Sequence, residues 1–150
     1  MNESRRQFLK QSLQGIPLAF LPKLAFSKSD IELPKILIIG DSISIGYLPF
    51  IQELLKDKAI VTRPMKENGK ADNCQGTTNG VANIDSWIGN TKWDLIHFNF
   101  GLHDLKHVKP DTLKNSNNPN DPHQAEKGQY RKNLKEIVGK LKATKAKLIF

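Results

Sequence analysis

Residues Pro34 to Gly46, P-K-I-L-I-I-G-D-S-I-S-I-G, restrict the fold more than any other stretch of the chain. The run Lys35 to Ile39 is almost wholly apolar, which in a strand implies cover on both faces, as in a parallel sheet. It stops abruptly at Gly40-Asp41-Ser42. Glycine admits a sharp turn with positive φ, and a small hydroxyl residue directly after such a turn stands where the carboxyl ends of α/β strands meet ligands. Ser42 therefore has two readings: an N-cap satisfying free helix amides, or a reactive hydroxyl that needs partners from elsewhere in the chain.

The rest of the sequence repeats the same grammar. Pro49 suits the first turn of a helix in which Phe50, Ile51, Leu54 and Leu55 recur at helical spacing, and Ala59 to Arg63 reads as a second strand stopped by Pro64. Met65 to Thr78 is a long polar connection, of the kind that usually carries function. Val81, Ile84 and Ile88 then mark one helical face, and Trp93 to Phe100 is a third strand that again ends on a glycine, Gly101. Leu102 to His123 is a second long connection, whose octet Asn115 to Pro122 has little apolar surface to bury and is expected to be mobile. Asp121 and Gln124 could form a capping pair around Pro122. Tyr130, Leu134, Ile137, Val138 and Leu141 predict a helix to about Lys142, and Ala146 to Phe150 opens a fourth strand. Alternating strands and helices imply a parallel sheet with right-handed crossovers. With 150 residues, one domain is expected, and no helix follows the fourth strand to cover it. A fragment of a longer protein is the expectation.

Met1 to Ser27 reads as an address and not as fold. Ser4-Arg5-Arg6-Gln7-Phe8-Leu9-Lys10 matches the twin-arginine export pattern, and the modestly apolar stretch behind it is broken by Gln14, Pro22 and Lys23. Export in the folded state, to the periplasm or outside the cell, follows from that reading; a short amphipathic helix is the alternative. Arg5, Arg6, Lys10 and Lys23 contribute to the formal net charge of +8. The lysines from Lys132 to Lys147 are spaced as a solvated helix face without interleaved aromatics, which argues against a nucleic-acid partner. Cys74 is the only cysteine, so no intrachain disulfide can form.

Parallel strands place their carboxyl ends on one rim, so Gly40-Asp41-Ser42, Asn73-Cys74-Gln75-Gly76 and Gly101-Leu102-His103-Asp104 are expected to meet there. With these three blocks the chain resembles the SGNH or GDSL hydrolases from Ile36 to Phe150. The resemblance implies a flavodoxin-like three-layer α/β sheet, here halted in its fourth strand, and a serine esterase acting on acyl esters such as O-acetylated carbohydrate, without a cofactor. Ser42 would be the nucleophile, with Gly40 and Asp41 shaping its turn. Ser42, Gly76 and His103 would supply the oxyanion donors, supported by Gly101 and Asp104, with Gly80 a less suitable glycine than Gly76. His103 stands where the family has Asn. The family's Asp-x-x-His block, the source of acid and base, is expected beyond Phe150.

Asp104-Leu105-Lys106-His107 has the same Asp-x-x-His spacing but follows the third block directly instead of a further strand. His103, Asp104, His107 and His123 could alternatively be metal ligands, since His at i and i+4 share one helical face. His97 reads as a satisfied sheet-face histidine. The rival to an esterase is a binding module or pseudoenzyme that keeps the cleft without hydrolysis.

Overall fold

The computed structural model describes residues 32–150, so the twin-arginine-like segment lies outside the described residues. In chain order the elements are β1 (Lys35–Ile39), α1 (Ser42–Leu54), β2 (Ile60–Thr62), α2 (Thr77–Ile88), β3 (Leu95–Phe98), α3 (Lys127–Ala143) and β4 (Lys147–Ile149). The four strands form one parallel sheet of order β2-β1-β3-β4. Lys35 aligns with Ile60 on one side of β1, and Ile36 to Ile39 align with Leu95 to Phe98 on the other.

This order fixes the layers. From β1 the chain moves outward through α1 to β2, then back through α2 to β3 on the opposite side of β1. Right-handed crossovers in opposite directions put α1 on one face and α2 on the other. Leu37, Ile39, Ile96 and Phe98 accordingly pack with Ile84 of α2 and with Ile137 and Leu141 of α3 in one buried cluster. Ile38, one residue out of phase, is 1% exposed and belongs to the α1 face. Each such buried aliphatic side chain contributes roughly 1.5–3 kcal/mol.

Two local expectations are corrected. First, α1 begins at Ser42 and not near Pro49, which lies inside the helix. Asp41 is the cause: its backbone is extended and its carboxylate accepts the Ile43 N–H at 2.9 Å, so the helix is capped seven residues earlier. The inward face then carries Ser44, Leu48, Ile51 and Leu55, leaving Phe50 and Leu54 70% and 73% exposed. Second, α3 starts at Lys127. Its start is organised by Glu126, whose carboxylate accepts the His123 N–H at 2.9 Å, and not by a pair of Asp121 with Gln124. Both long loops are also hydrogen-bonded. Met65 pairs with Ala71, His107 with His123, and Val108 with Asn115; within the octet, the Ser116 N–H donates to the His107 carbonyl at 2.8 Å. Backbone pairing does for these segments what apolar burial cannot.

Candidate active site

Strand order reverses at β1 and β3, and the crevice beyond the carboxyl ends of those two strands is where ligands of open α/β sheets bind. The Gly40-Asp41-Ser42 turn leaves β1 on one side of this crevice, and Gly101 to Asp104 leave β3 on the other. Ser42 is the first residue of α1 and is exposed to solvent. Gly40 is not among the positive-φ residues, contrary to expectation. Close approach favours glycine there, because a Cβ would lie 3.0 Å from both Cβ and Oγ of Ser44.

A closed circuit of contacts joins the three rim segments. The Gly40 carbonyl accepts the Cys74 N–H at 3.2 Å, tying the Gly40-Asp41-Ser42 turn to the loop ahead of α2. Two residues on, Gly76 is the N-cap of α2 and has no side chain with which to cap it. Asp104 caps the helix instead: its carboxylate accepts the Thr77 N–H at 2.8 Å and the Thr77 hydroxyl at 2.6 Å. A Cβ at position 76 would stand 3.0 Å from that carboxylate and would have to push the capping side chain aside, so close approach favours glycine. Next to Asp104, the Nε2 of His103 lies 4.0 Å from the Asp41 carboxylate and closes the circuit back to the Ser42 turn. Ser42, Gly76 and His103 therefore stand on one rim. Among the described residues no acceptor is found for the Ser42 or the Gly76 N–H, as their places at helix starts permit. Free amides of this kind suit a developing anion.

Several residues in this arrangement are not singled out by sequence. Arg63, 5% exposed, sits beneath the turn and donates to the Ser44 hydroxyl and the Gly40 carbonyl, both at 3.0 Å, and to the Asp72 carbonyl at 2.5 Å. Its Nε is buried without a partner. Asn133 of α3, 5% exposed, donates to the Thr77 hydroxyl at 3.2 Å and extends the Asp104 network to a third element. Its signal was present in the sequence, since Asn133 interrupts the apolar face made by Tyr130, Ile137 and Leu141. Lys106 lies 3.0 Å from Nδ1 of His103. Both line a cleft of about 400 Å³ between Gln75 and Thr78 on one side and Leu113, Asn115 and Gln124 on the other.

Titration properties separate the candidates. Cys74 is fully buried, and burial pushes its thiol up to about 11, which removes it as a nucleophile near neutral pH. His103 is held below the ordinary imidazole value of 6.5, first by burial and then by Lys106, against the opposing pull of Asp41 and Asp104. It is neutral at pH 7. His97, lowered by burial, lies 3.4 Å from the Tyr47 hydroxyl, as a sheet-face histidine would.

Asp104 and His107 do not pair. Asp104 is turned to Thr77, while the His107 Nδ1–H donates to the Asp121 carbonyl at 2.6 Å and the His123 Nδ1–H to the Leu105 carbonyl at 2.8 Å. The rings of His107 and His123 stack at 4.5 Å. Among the described residues no three His, Cys, Asp or Glu side chains converge as a metal site requires.

No family model matches the chain, and no curated protein matches it. Among solved structures it is similar to the acetyl xylan esterase AlAXEase, with a TM-score of 0.52 and 16% identity over 76% of this chain and 55% of that one. It is also similar to a putative acylhydrolase from Bacteroides fragilis NCTC 9343, with a TM-score of 0.51 and 15% identity over 89% of this chain and 57% of that one. The chain thus spans a little over half the length of these two structures. At such identities the likeness establishes the fold alone: an α/β parallel sheet like that of these two structures.

Proposed function

We propose that the chain is the amino-terminal part of an exported serine esterase that hydrolyses acyl esters, acetyl esters of carbohydrate first among them. The observation that carries this reading is the circuit Gly40–Cys74, Gly76–Asp104, His103–Asp41, which gathers an exposed serine and two unengaged backbone N–H groups at the switch point of the sheet. In the proposed reaction Ser42 Oγ attacks the ester carbonyl. The Ser42 and Gly76 amides and the His103 ring N–H hold the oxyanion, and each such donor accounts for roughly 2.7–4 kcal/mol of transition-state stabilisation. The acid–base pair that takes the Ser42 proton comes from residues outside these 150. The names of the two structural neighbours support acyl-ester chemistry, and that of AlAXEase supports an acetylated polysaccharide. The Ser4 to Lys10 pattern supports export.

One observation favours a second reading, a binding module that has lost hydrolysis. His97 is engaged with Tyr47, His107 with Asp121 and His123 with Leu105, while His103 has Lys106 on Nδ1 and the Asp41 carboxylate 4.0 Å from Nε2, so among the described residues no histidine is hydrogen-bonded to Ser42 as its base. Treatment of the full-length protein with a fluorophosphonate, followed by peptide mass spectrometry, separates the two. The esterase reading expects one adduct, on the peptide containing Ser42; an unlabelled Ser42 in folded protein supports the binding module.

A further inference from the structure

We propose that Lys106 is a positioning residue that holds His103 in its Nε2–H tautomer, with that N–H turned to the rim formed by Asp41 and Ser42. The assignment rests on the reading of His103 as an oxyanion donor and supplies what that reading lacks, a reason for the ring to carry its proton on the correct nitrogen.

An ammonium group has three donors and no acceptor, so a Lys Nζ at 3.0 Å from a ring nitrogen must donate to a lone pair. Nδ1 is therefore bare. Because neutral imidazole carries one proton, that proton lies on Nε2, the nitrogen 4.0 Å from the Asp41 carboxylate. Four ångströms is too long for a hydrogen bond, so Asp41 attracts the N–H without consuming it. Asp41 Oδ1 accepts the Ile43 N–H, and Oδ2 is the oxygen that faces His103. The His103 side chain is 14% exposed, which leaves the ring little freedom to trade these partners for water. Asparagine has a donor at a fixed atom; histidine must be told which nitrogen to use, and Lys106, three residues along the same turn, does so. The charges facing the ring are Lys106, Asp41 and Asp104, and burial together with Lys106 keeps it neutral. A protonated ring would also donate from Nε2, but Lys106 would then have no lone pair to bond.

The test is long-range ¹H–¹⁵N correlation NMR of the His103 ring in the 150-residue chain at pH 8. The expected spectrum shows a single Nε2–H tautomer. Lys106→Met should lower the ratio of Nε2–H to Nδ1–H by about tenfold, the loss of one charge-assisted hydrogen bond, and should raise the His103 pKa. Lys106→Arg, which keeps a cationic donor, should restore the tautomer. An Nδ1–H ring in the wild type, or a ratio unchanged in folded Lys106→Met, overturns the assignment. Because this readout needs no turnover, its failure is distinct from failure of the esterase reading, which the Ser42 adduct reports.

Discussion

The carboxylate of Asp104, carried on the loop after β3, caps helix α2 by accepting both the N–H and the hydroxyl of Thr77, at 2.8 and 2.6 Å. It does across the crevice what Gly76 cannot do locally, and its negative charge sits at the positive end of the helix. Asp104→Ala removes a cap and leaves the buried Thr77 N–H without its acceptor. A destabilisation of about 2–4 kcal/mol is expected from those two losses, measured by urea unfolding at constant m. Asp104→Asn keeps an acceptor and should lose less.

Arg63 holds the Gly40-Asp41-Ser42 turn from below through the Gly40 and Asp72 carbonyls and the Ser44 hydroxyl. Lysine cannot replace a planar fork that reaches three acceptors in different directions. Arg63→Lys should therefore destabilise the chain by about 1–3 kcal/mol, the cost of buried acceptors left unpaired. In the full-length protein it should lower kcat more than it raises KM, because the turn that carries Ser42 is no longer held. A variant with unchanged stability and unchanged kcat would show that the turn does not depend on it.

His97 and His103 both titrate below 6.5 in the folded chain, each chiefly because burial disfavours the charged ring. Above that value both states are neutral and the two residues leave stability unchanged. As pH falls through it, the unfolded state takes up protons first, so stability declines until the folded-state values are passed. Urea midpoints should fall between about pH 7 and pH 5, and His97→Gln combined with His103→Asn should flatten that decline without reversing it.

Cys74 is buried in the main cluster with its thiol pushed up to about 11. Native protein at pH 7.5 should react with an aromatic disulfide reagent far more slowly than protein in urea, in proportion to the fraction transiently unfolded. Rapid native-state reaction would show that the loop before α2 opens independently of the core.

The strands and their parallel arrangement were legible in the sequence because unbroken apolar runs, glycine stops and strand–helix alternation all point to one parallel sheet, whereas their order is seen only in the fold. The start of α1 was misplaced because Pro49 is compatible both with a first turn and with a tolerated interior position, and only the Asp41 carboxylate decides between them. Ser42, Gly76 and His103 could be gathered on one rim from strand polarity alone. The network behind them could not. Asp104, Thr77 and Asn133 come from three elements, and Arg63 from a fourth, so their contacts exist only once the crossovers have brought those elements together. Asn133 left a trace as a polar residue on an apolar helical face; Arg63, beside Pro64 at a strand end, left none.

The central claim is that Ser42 is a nucleophile, and kcat/KM on an acetate ester with full-length protein and its Ser42→Ala variant measures this most directly. The account predicts a loss of at least about 10³-fold with the fold intact by circular dichroism, in keeping with removal of a catalytic serine. It also predicts no turnover by the 150-residue chain alone. Folded Ser42→Ala retaining activity within about threefold of wild type would contradict it, because a change of that size is well below one kcal/mol.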